Sequence, residues 1–275
     1  MIHQSSKMVR AVGAAAAFVE QRQSRGAVHF TLPQLLEATG LTTKAARNQL
    51  ARLGYRVVRA SPRKDFFLIV SPEQRPMGGP PVLWWIDAYF KAEGRSYYVG
   101  LLSAAAEYGA AHQAVQEVQV VTNRPARPLR IGRMRVGFLV KRNVAETPVA
   151  QPAQAHAPVR LSTPEATALD LLRYAHRIGG VGRAAEAIRA LLPRFRVSSL
   201  RQALQAESET SNIQRFGYVL ERLQRPDLCQ IVEERLPARR SLVFLEQHKP
   251  LPEGSVEISS RRWAVVINGN LKESA

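Results

Sequence analysis

Two short helical segments separated by a glycine constrain this chain more than any other feature of its sequence. Thr31 precedes Leu32-Pro33, and proline is favourable in the first turn of a helix because its missing N–H has no partner to lose there. Thr39-Gly40 ends this segment, and Leu41-Thr42-Thr43 opens a second one that runs to about Leu53. The pattern predicts two helices that meet at a tight turn.

The flanking segments complete a small domain. An alanine-rich helix is predicted from Met8 to Gln23, followed by a short strand at Ala27–Phe30. After the two helices, Arg56–Arg59 and Phe66–Val70 have the apolar and aromatic content of strands, and the turn Ala60–Asp65 joins them. Helix, helix, turn, helix and a two-stranded hairpin are the order of a winged helix-turn-helix, which we place over residues 1–75.

The exposed side of the predicted third helix carries polar and cationic side chains. A helix that enters the major groove of DNA needs such groups near its N-terminal half, because they match the donors and acceptors on base edges. Arg47 suits guanine and Asn48 suits adenine, whereas cations in the hairpin turn suit phosphates. Any solvent-exposed helix can show a similar face, which is the alternative interpretation. The predicted DNA-binding residues are Thr42, Thr43, Lys44, Arg47, Asn48, Arg52, Arg63 and Lys64.

The charge of the chain agrees with a polyanionic partner. Its 275 residues include 39 Lys and Arg against 22 Asp and Glu, a net charge of +17. The excess is densest in residues 1–70, which carry 11 basic and 3 acidic side chains. Such a surface favours nucleic acid, because neutralised phosphates release condensed counterions. A solvated, arginine-rich surface without a ligand is the alternative.

The remaining residues, 76–275, are predicted to form a larger α+β domain. The proline- and glycine-containing stretch Ser71–Pro81 predicts a linker or crossing loop, and residues 147–160 suggest a possible subdivision. Helices are expected over Val82–Phe90, Leu101–Tyr108, Ser162–Leu192 with a break at Gly179–Gly182, Val197–Ser208 and Ser211–Leu223. Strands are expected at Glu117–Thr122, Arg133–Val140, Val243–Leu245 and Trp263–Ile267, with Pro125–Arg130 as a turn.

Arginines are concentrated around that last turn. Five of them lie within twelve residues: Arg124, Arg127, Arg130, Arg133 and Arg135. Arginines along a strand turn suit a row of phosphates, so they form a possible second phosphate-binding stripe. A solvated basic hairpin is an equally good interpretation.

Signals for an enzyme, a metal or a cofactor are weak. Gly179-Gly180-Val181-Gly182 lacks the Lys-Ser/Thr of a phosphate-binding loop and reads as a turn between helices. Glu165 and Asp170 follow a predicted helix start, where carboxylates favour the helix dipole rather than catalysis. The six histidines are dispersed, and a lone Cys229 excludes a disulfide framework or a cysteine-rich zinc module. We therefore expect no catalytic residues, no metal and no cofactor, although a nuclease or nucleotidyltransferase remains an alternative class.

Neither a signal peptide nor an apolar run of membrane-spanning length is visible in the sequence. A cytoplasmic protein without a membrane partner is the resulting expectation.

Two sequence blocks resemble a known family. The first is Tyr97-Tyr98-Val99-Gly100, continuing through an alanine-rich helix to Tyr108-Gly109 and Gln113. The second is Leu161-Ser162-Thr163-Pro164-Glu165, continuing to Leu169-Asp170-Leu171. With the basic winged helix and the strand Val118–Thr122, they resemble the AbiEi-type antitoxins of AbiE toxin–antitoxin systems, over nearly the whole chain.

The resemblance implies a bacterial autorepressor that takes part in phage defence. In that family the winged helix binds inverted repeats in the promoter of its own operon, and the C-terminal domain counteracts a nucleotidyltransferase-like toxin. The systems are described as type IV, which implies antagonism without a stable antitoxin–toxin complex. Inverted repeats imply two protomers per operator, which could assemble on DNA from a monomer in solution. A transcriptional regulator whose C-terminal part binds a small effector is the alternative.

Overall fold

The fold is α+β, with a winged helix-turn-helix before a larger mixed domain. It is described from a computed structural model that covers residues 13–110, 117–152, 155–247, 249–250, 259–269 and 271. The first part of the predicted N-terminal helix and residues 111–113 of the first family block lie outside these ranges. The winged helix contains α1 (Ala14–Ser24), β1 (His29–Thr31), α2 (Leu32–Thr39), α3 (Thr43–Arg52), β2 (Val57–Arg59) and β3 (Phe66–Ile69). Its antiparallel sheet has the order β1-β3-β2.

Local sequence signals determine where α2 and α3 begin and end. The Thr31 hydroxyl accepts a hydrogen bond from the Gln34 N–H, and the Gln34 side chain accepts one from the Thr31 N–H at 2.9 Å, which together make a capping box. Gly40 ends α2 in the left-handed region at φ 65°, a conformation that glycine adopts without steric cost. Thr42 then caps α3 by accepting from the Ala45 N–H at 3.3 Å. These are the start and stop positions predicted from the sequence.

The hydrophobic core of the winged helix lies between its three helices and one face of its sheet. Phe18 of α1, Leu35 of α2 and Leu50 of α3 meet Phe30 and Phe67, whose rings stack at 5.3 Å. The opposite face of β3 carries Phe66 and Leu68, which pack on the C-terminal part of the chain. Because successive side chains of a strand point to opposite faces, β3 contributes side chains to two cores.

The stretch predicted as a linker is packed rather than free. The Met77 carbonyl accepts a hydrogen bond from the Arg133 N–H at 3.0 Å. Gly78 and Gly132 both have positive φ, and a Cβ on Gly78 would lie 2.6 Å from the Gly132 Cα, so only glycine permits the approach. The Pro80 carbonyl accepts a hydrogen bond from the Trp85 indole at 3.1 Å. A domain boundary at residue 75 stays a prediction, because the two parts share one apolar cluster.

A six-stranded mixed sheet forms the centre of the C-terminal part. Its order is β6-β7-β5-β4-β9-β8, in which β7 pairs with β5 and β4 with β9 in parallel, and the other neighbours are antiparallel. The strands are β4 (Tyr97–Val99), β5 (Val118–Thr122), β6 (Leu129–Ile131), β7 (Met134–Val140), β8 (Val149–Ala150) and β9 (Leu161–Ser162). Part of the predicted turn Pro125–Arg130 is therefore strand β6, because Leu129 and Ile131 alternate inward on either side of exposed Arg130.

Helices cover much of this sheet and continue beyond it. They are α4 (Ile86–Ala92), α5 (Leu101–Glu107), α6 (Pro164–Arg173), α7 (Ala175–Ile178), α8 (Val181–Leu191), α9 (Val197–Ala206), α10 (Thr210–Arg222) and α11 (Pro226–Glu234). The predicted aromatic helix at Val82–Phe90 begins only at Ile86, after a 3-10 turn at Val82–Trp84. Helix α11 was not predicted, although Pro226 marks its first turn. A second sheet, in the order β10-β12-β11, contains β10 (Val243–Phe244), β11 (Ser259–Ser260) and β12 (Val265–Val266).

Alternating residues of the central sheet face two different cores. Tyr98, Val121 and Leu139 pack against α5, α6 and the following helices. Their neighbours Val99 and Val120 face the other way, towards the aromatic residues around α4 and the winged helix. The sheet is thus buried on both sides over most of its width, but β6 and the start of β7 keep one open face.

Candidate nucleic-acid interface

Helix α3 presents the polar face that the sequence predicts. Ala46 and Leu50 are buried in the winged-helix core. Thr43, Lys44, Arg47 and Asn48 are exposed on the opposite side, near the N-terminus of the helix. Thr42 lies directly before them, where its hydroxyl oxygen caps the helix. The arrangement supplies hydrogen-bond donors and acceptors on the half of α3 that a DNA groove could receive.

An acidic residue of the hairpin turn holds one of these side chains. Asp65 accepts hydrogen bonds from Arg47 of α3 at 3.2 Å and from Arg59 of β2 at 2.6 Å. Arg59 also donates to the Lys64 carbonyl at 2.7 Å, and its guanidinium lies 5.9 Å from the Phe67 ring centroid. The Arg47 side chain remains 55% exposed, so it is oriented but still accessible. One carboxylate therefore connects the third helix to the wing.

Neither Asp65 nor Arg59 is among the DNA-binding residues that the sequence predicts. A signal was nevertheless present, because Asp65 is the single acidic residue between Glu37 and Glu73, within a strongly basic stretch. An isolated carboxylate among cations indicates an ion pair. Its two partners could be identified only from the tertiary structure.

The cations of the wing differ in their surroundings. Arg63 is exposed at the tip of the turn. The Lys64 ammonium forms an ion pair with Glu93, which follows α4, and the Glu93 side chain is only 13% exposed. Arg52 is exposed in the last turn of α3. The predicted phosphate contacts are therefore not equivalent, since Lys64 would have to leave a carboxylate to reach DNA.

The five arginines of the second predicted stripe are all exposed. Arg124 and Arg127 lie in the loop before β6, Arg130 is in β6, and Arg133 and Arg135 are at the turn and start of β7. Arg130 and Arg135 are direct partners across the two antiparallel strands. The structure thus brings three of the five onto one hairpin, with the other two on the approach to it.

The two family blocks meet in the interior. The Tyr98 hydroxyl donates to Asp170 Oδ2 at 2.7 Å, and the Lys141 ammonium donates to Asp170 Oδ1 at 2.9 Å. Burial and the neighbouring Asp170 charge raise the pKa of Tyr98 well above its usual range. Asp170 is completely buried in the seventh position of α6, so the expectation that it serves the helix dipole is wrong. Sequence spacing could not reveal this network, since its members are far apart in the chain.

The second block also contains a buried carboxylate with a free oxygen. Glu165 Oε1 accepts a hydrogen bond from the Arg196 N–H at 2.7 Å, whereas Oε2 has no partner among the described residues. Nearby, the Tyr108 hydroxyl donates to the Ser162 carbonyl at 2.9 Å. Burial, followed by the Glu165 charge, raises the pKa of Tyr108 to about 12. These groups border a cavity of about 520 Å³ that also exposes Arg194.

The glycines and the cysteine considered as weak enzyme signals lie in a turn between helices and in the interior, respectively. Gly179 and Gly180 form the turn between α7 and α8, as predicted. The Cys229 thiol is buried, and its burial raises its pKa to about 11. Within the described ranges, His, Cys, Asp and Glu side chains form no cluster of three that could hold a metal ion. The described helices include none with the length and apolar character needed to cross a membrane.

Comparison with known proteins identifies the family of the C-terminal part. A model of the AbiEi antitoxin C-terminal domain matches residues 98–222, which include the second family block and all of the first except Tyr97. Residues 98–222 are thus similar to the AbiEi antitoxin C-terminal domain, and the resemblance inferred from the sequence is confirmed. The match supports an antitoxin role and is to a family of antitoxins rather than of enzymes.

Solved structures extend the similarity to the whole fold. The crystal structure of the RV2827C protein from Mycobacterium tuberculosis aligns with a TM-score of 0.62 at 17% identity, over 92% of this chain and 90% of that one. At this identity the likeness concerns the fold alone. The antibiotic-resistance factor ANT(2'')-Ia aligns at a TM-score of 0.30 and 14% identity, over 43% of this chain and 84% of that one, which is too poor to carry an argument. A search of curated protein sequences gives no match.

Proposed function

We propose that this protein is a DNA-binding antitoxin that represses its own operon. Its winged helix binds inverted repeats in the promoter, and its C-terminal domain counteracts a cognate nucleotidyltransferase-like toxin. The observation that carries the DNA-binding half is the exposed face of α3, where Arg47 and Asn48 lie between the helix cap and a basic wing. The antitoxin half rests on the match of residues 98–222 to the AbiEi domain.

Binding would place α3 in the major groove. Arg47 then donates to O6 and N7 of a guanine, and Asn48 pairs with the N6 and N7 edge of an adenine. Thr42, Thr43 and Lys44 at the start of the helix contact the neighbouring phosphates, where helix N–H groups also favour anions. Arg52, Arg63 and Lys64 contact the backbone on either side, which fixes the register of the helix without reading sequence.

Two protomers would bind one operator. Recognition helices of paired winged helices reach half-sites about 34–36 Å apart, one turn of the double helix. The double-stranded operator can itself bring the protomers together, so a dimer in solution is unnecessary. The toxin is a functional partner, and its neutralisation as a type IV system proceeds without a stable complex of the two proteins.

A gel shift on the DNA upstream of the gene tests the repressor half of the proposal. Arg47→Ala should weaken binding to this DNA by about 1–3 kcal/mol and relax specificity at one position. The matched control is Arg222→Ala, which removes an exposed arginine at the end of α10, away from the winged helix. Equal affinities of wild type and Arg47→Ala would contradict the proposal, as would an absence of preference over scrambled DNA.

Growth tests the antitoxin half separately. Co-expression of the full chain with the product of the neighbouring gene should restore the growth of cells that the latter inhibits. Arg47→Ala should rescue as well as wild type when both are expressed from a foreign promoter, since toxin antagonism belongs to the C-terminal domain. Failure of wild type to rescue would contradict the antitoxin role but not the DNA-binding role.

One observation favours the alternative of an effector-responsive regulator. The cavity beside Glu165 combines an unpartnered carboxylate oxygen with the exposed cations Arg194 and Arg196. A small molecule with both a hydrogen-bond donor and an anionic group would complement it. Under this alternative, Glu165→Gln would change the affinity for the operator, but the chain would not rescue growth.

A further inference from the structure

The structure points to a second DNA contact on the β6–β7 hairpin, away from the wing tip; we infer that this hairpin binds the phosphate backbone of duplex DNA flanking the operator half-site. The inference rests on the proposed DNA binding of the winged helix and extends it. We define the arginine hairpin as Arg130, Arg133 and Arg135.

The positive charges of the arginine hairpin are not neutralised by carboxylates in the described part of the chain. Its three guanidinium groups are exposed, and none forms an ion pair within the described part of the chain. Arg130 and Arg135 are directly opposite each other across the strands, a placement that is unfavourable for like charges. Glu117 approaches the same sheet face, but its carboxylate packs over Gly137 instead of pairing with Arg135. A row of phosphates would relieve the repulsion.

The hairpin is held firmly on the winged helix. Gly78 and Gly132 bring the backbones of the connecting segment and the hairpin turn into contact. The Met77 carbonyl accepts from the Arg133 N–H at 3.0 Å, and Leu129 and Ile131 of β6 share an apolar cluster with Phe66 of the wing. A charged surface on a scaffold fixed in this way loses little conformational entropy when it binds.

The contacts also determine which end of the winged helix lies next to the arginine hairpin. Val57 pairs with Ile69 at the end of the wing hairpin that is opposite to its tip at Arg63. At that same end Arg75 stacks on exposed Tyr55, 4.6 Å from the ring centroid, and Met77 follows two residues later. The arginine hairpin therefore continues from the base of the wing, not from its tip. DNA that is long enough to pass both regions would meet two separate basic surfaces.

The experiment compares the salt dependence of affinity on two duplexes. One contains the half-site alone, and the other extends it by about 15 base pairs on each side, which exceeds one helical turn. The test variant is Arg130→Gln/Arg133→Gln/Arg135→Gln. The control is Arg177→Gln/Arg189→Gln/Arg222→Gln, which removes three exposed arginines from the helical region and has the same net charge.

On the long duplex, the test variant should lose about 0.9 in salt slope per phosphate contact, up to about 2.7 for three. Between 50 and 200 mM salt, the affinity of the test variant for the long duplex should therefore fall about 40-fold less than that of the wild type. The short duplex should show wild-type slopes for both variants, and the control should resemble wild type on both. Circular dichroism establishes that each variant is folded.

Two outcomes would overturn the inference. In one, the test variant and the control have equal slopes on the long duplex. In the other, the test variant loses affinity only for a single-stranded RNA or an acidic protein, and its affinity for duplex DNA is unchanged. Either result would leave the proposed function intact if Arg47→Ala still weakens binding to the short duplex, so the two failures can be distinguished.

Discussion

Asp65 in the wing and Arg47 in α3 are joined by an ion pair of 3.2 Å, and Asp65 accepts a second, 2.6 Å hydrogen bond from Arg59. The predicted base-reading arginine is thus oriented before any DNA is present. A pre-oriented guanidinium loses less rotational freedom on binding than a free one. We therefore regard Asp65 as a positioning residue for the proposed interface.

Asp65→Asn should reduce the discrimination between operator and scrambled DNA rather than the overall affinity for DNA. The substitution releases Arg47 and removes a negative charge, so affinity for scrambled DNA should rise while the ratio of operator to scrambled affinity falls. Titrations of both DNAs at one salt concentration measure that ratio. The control is Asp227→Asn, which breaks an exposed ion pair with Arg225 in the helical region. An unchanged ratio for Asp65→Asn would mean that Arg47 needs no partner to find its base.

The stability effect of the same substitution should be small. Exposed ion pairs contribute about 0–1 kcal/mol, because solvent screens them and ordering the side chains costs entropy. Urea unfolding of Asp65→Asn should therefore stay within about 1 kcal/mol of wild type. A larger loss would show that specificity changes in this variant reflect damage to the domain.

Glu93→Gln should strengthen the electrostatic part of DNA binding. The change frees the Lys64 ammonium from its carboxylate and leaves it available to a phosphate. Because Glu93 competes with phosphate for Lys64 in the wild type, its removal strengthens that contact and raises the magnitude of the salt slope by at most about 0.9 on B-DNA. The double variant Glu93→Gln/Lys64→Ala is the matched control and should return to or below the wild-type slope. If both variants share one slope, Lys64 does not reach DNA.

Lys141→Met should destabilise the protein strongly. It leaves the fully buried Asp170 without its cation, and breaking a buried ion pair from one side costs about 3–5 kcal/mol. The Tyr98 hydroxyl still donates to Asp170, which lessens but does not replace the lost compensation. Replacing both members, as in Lys141→Met/Asp170→Leu, should recover part of the loss. Urea unfolding of Lys141→Met and of the double variant measures this, and a double variant no more stable than Lys141→Met would contradict it.

Acid should destabilise the winged helix through His29. Burial, followed by the charge of Arg22, lowers the pKa of His29 below 6.5, and its ring stacks on Phe66 with the Nδ1 atom buried. The unfolded chain then binds this proton more readily than the folded one, so stability is full above about pH 6.5 and is lost as pH falls towards the folded pKa. His29→Asn should show a smaller loss of unfolding free energy between pH 7 and pH 5 than wild type does. Equal losses would exclude His29 as the source.

Local signals in the sequence were sufficient for α2 and α3. Thr31, Gly40 and Thr42 determine where these helices start and stop through contacts with residues at most four positions away. The polar face of α3 follows from helical periodicity alone. Prediction was less accurate at β6, β8 and α11, which are short elements that depend on pairing or packing with distant segments.

The aromatic residues illustrate the same limit. Their apolar character indicated burial in a core, and Trp85, Phe90 and Tyr98 are indeed almost completely buried. It did not indicate that adjacent Tyr97 and Tyr98 face two different cores. That division follows from their position in a central strand with both faces covered.

By itself, then, the sequence determined the winged helix, the polar face of α3, the excess of positive charge and the resemblance to AbiEi antitoxins. The tertiary structure alone decided which charges are paired: Arg47 with Asp65, Lys64 with Glu93, and Lys141 with Asp170. It also decided that the arginine hairpin stands at the base of the wing. The physical reason is range, because caps and periodicity act within one or two helical turns, whereas these three ion pairs join residues 18 to 29 positions apart that only the folded chain brings together.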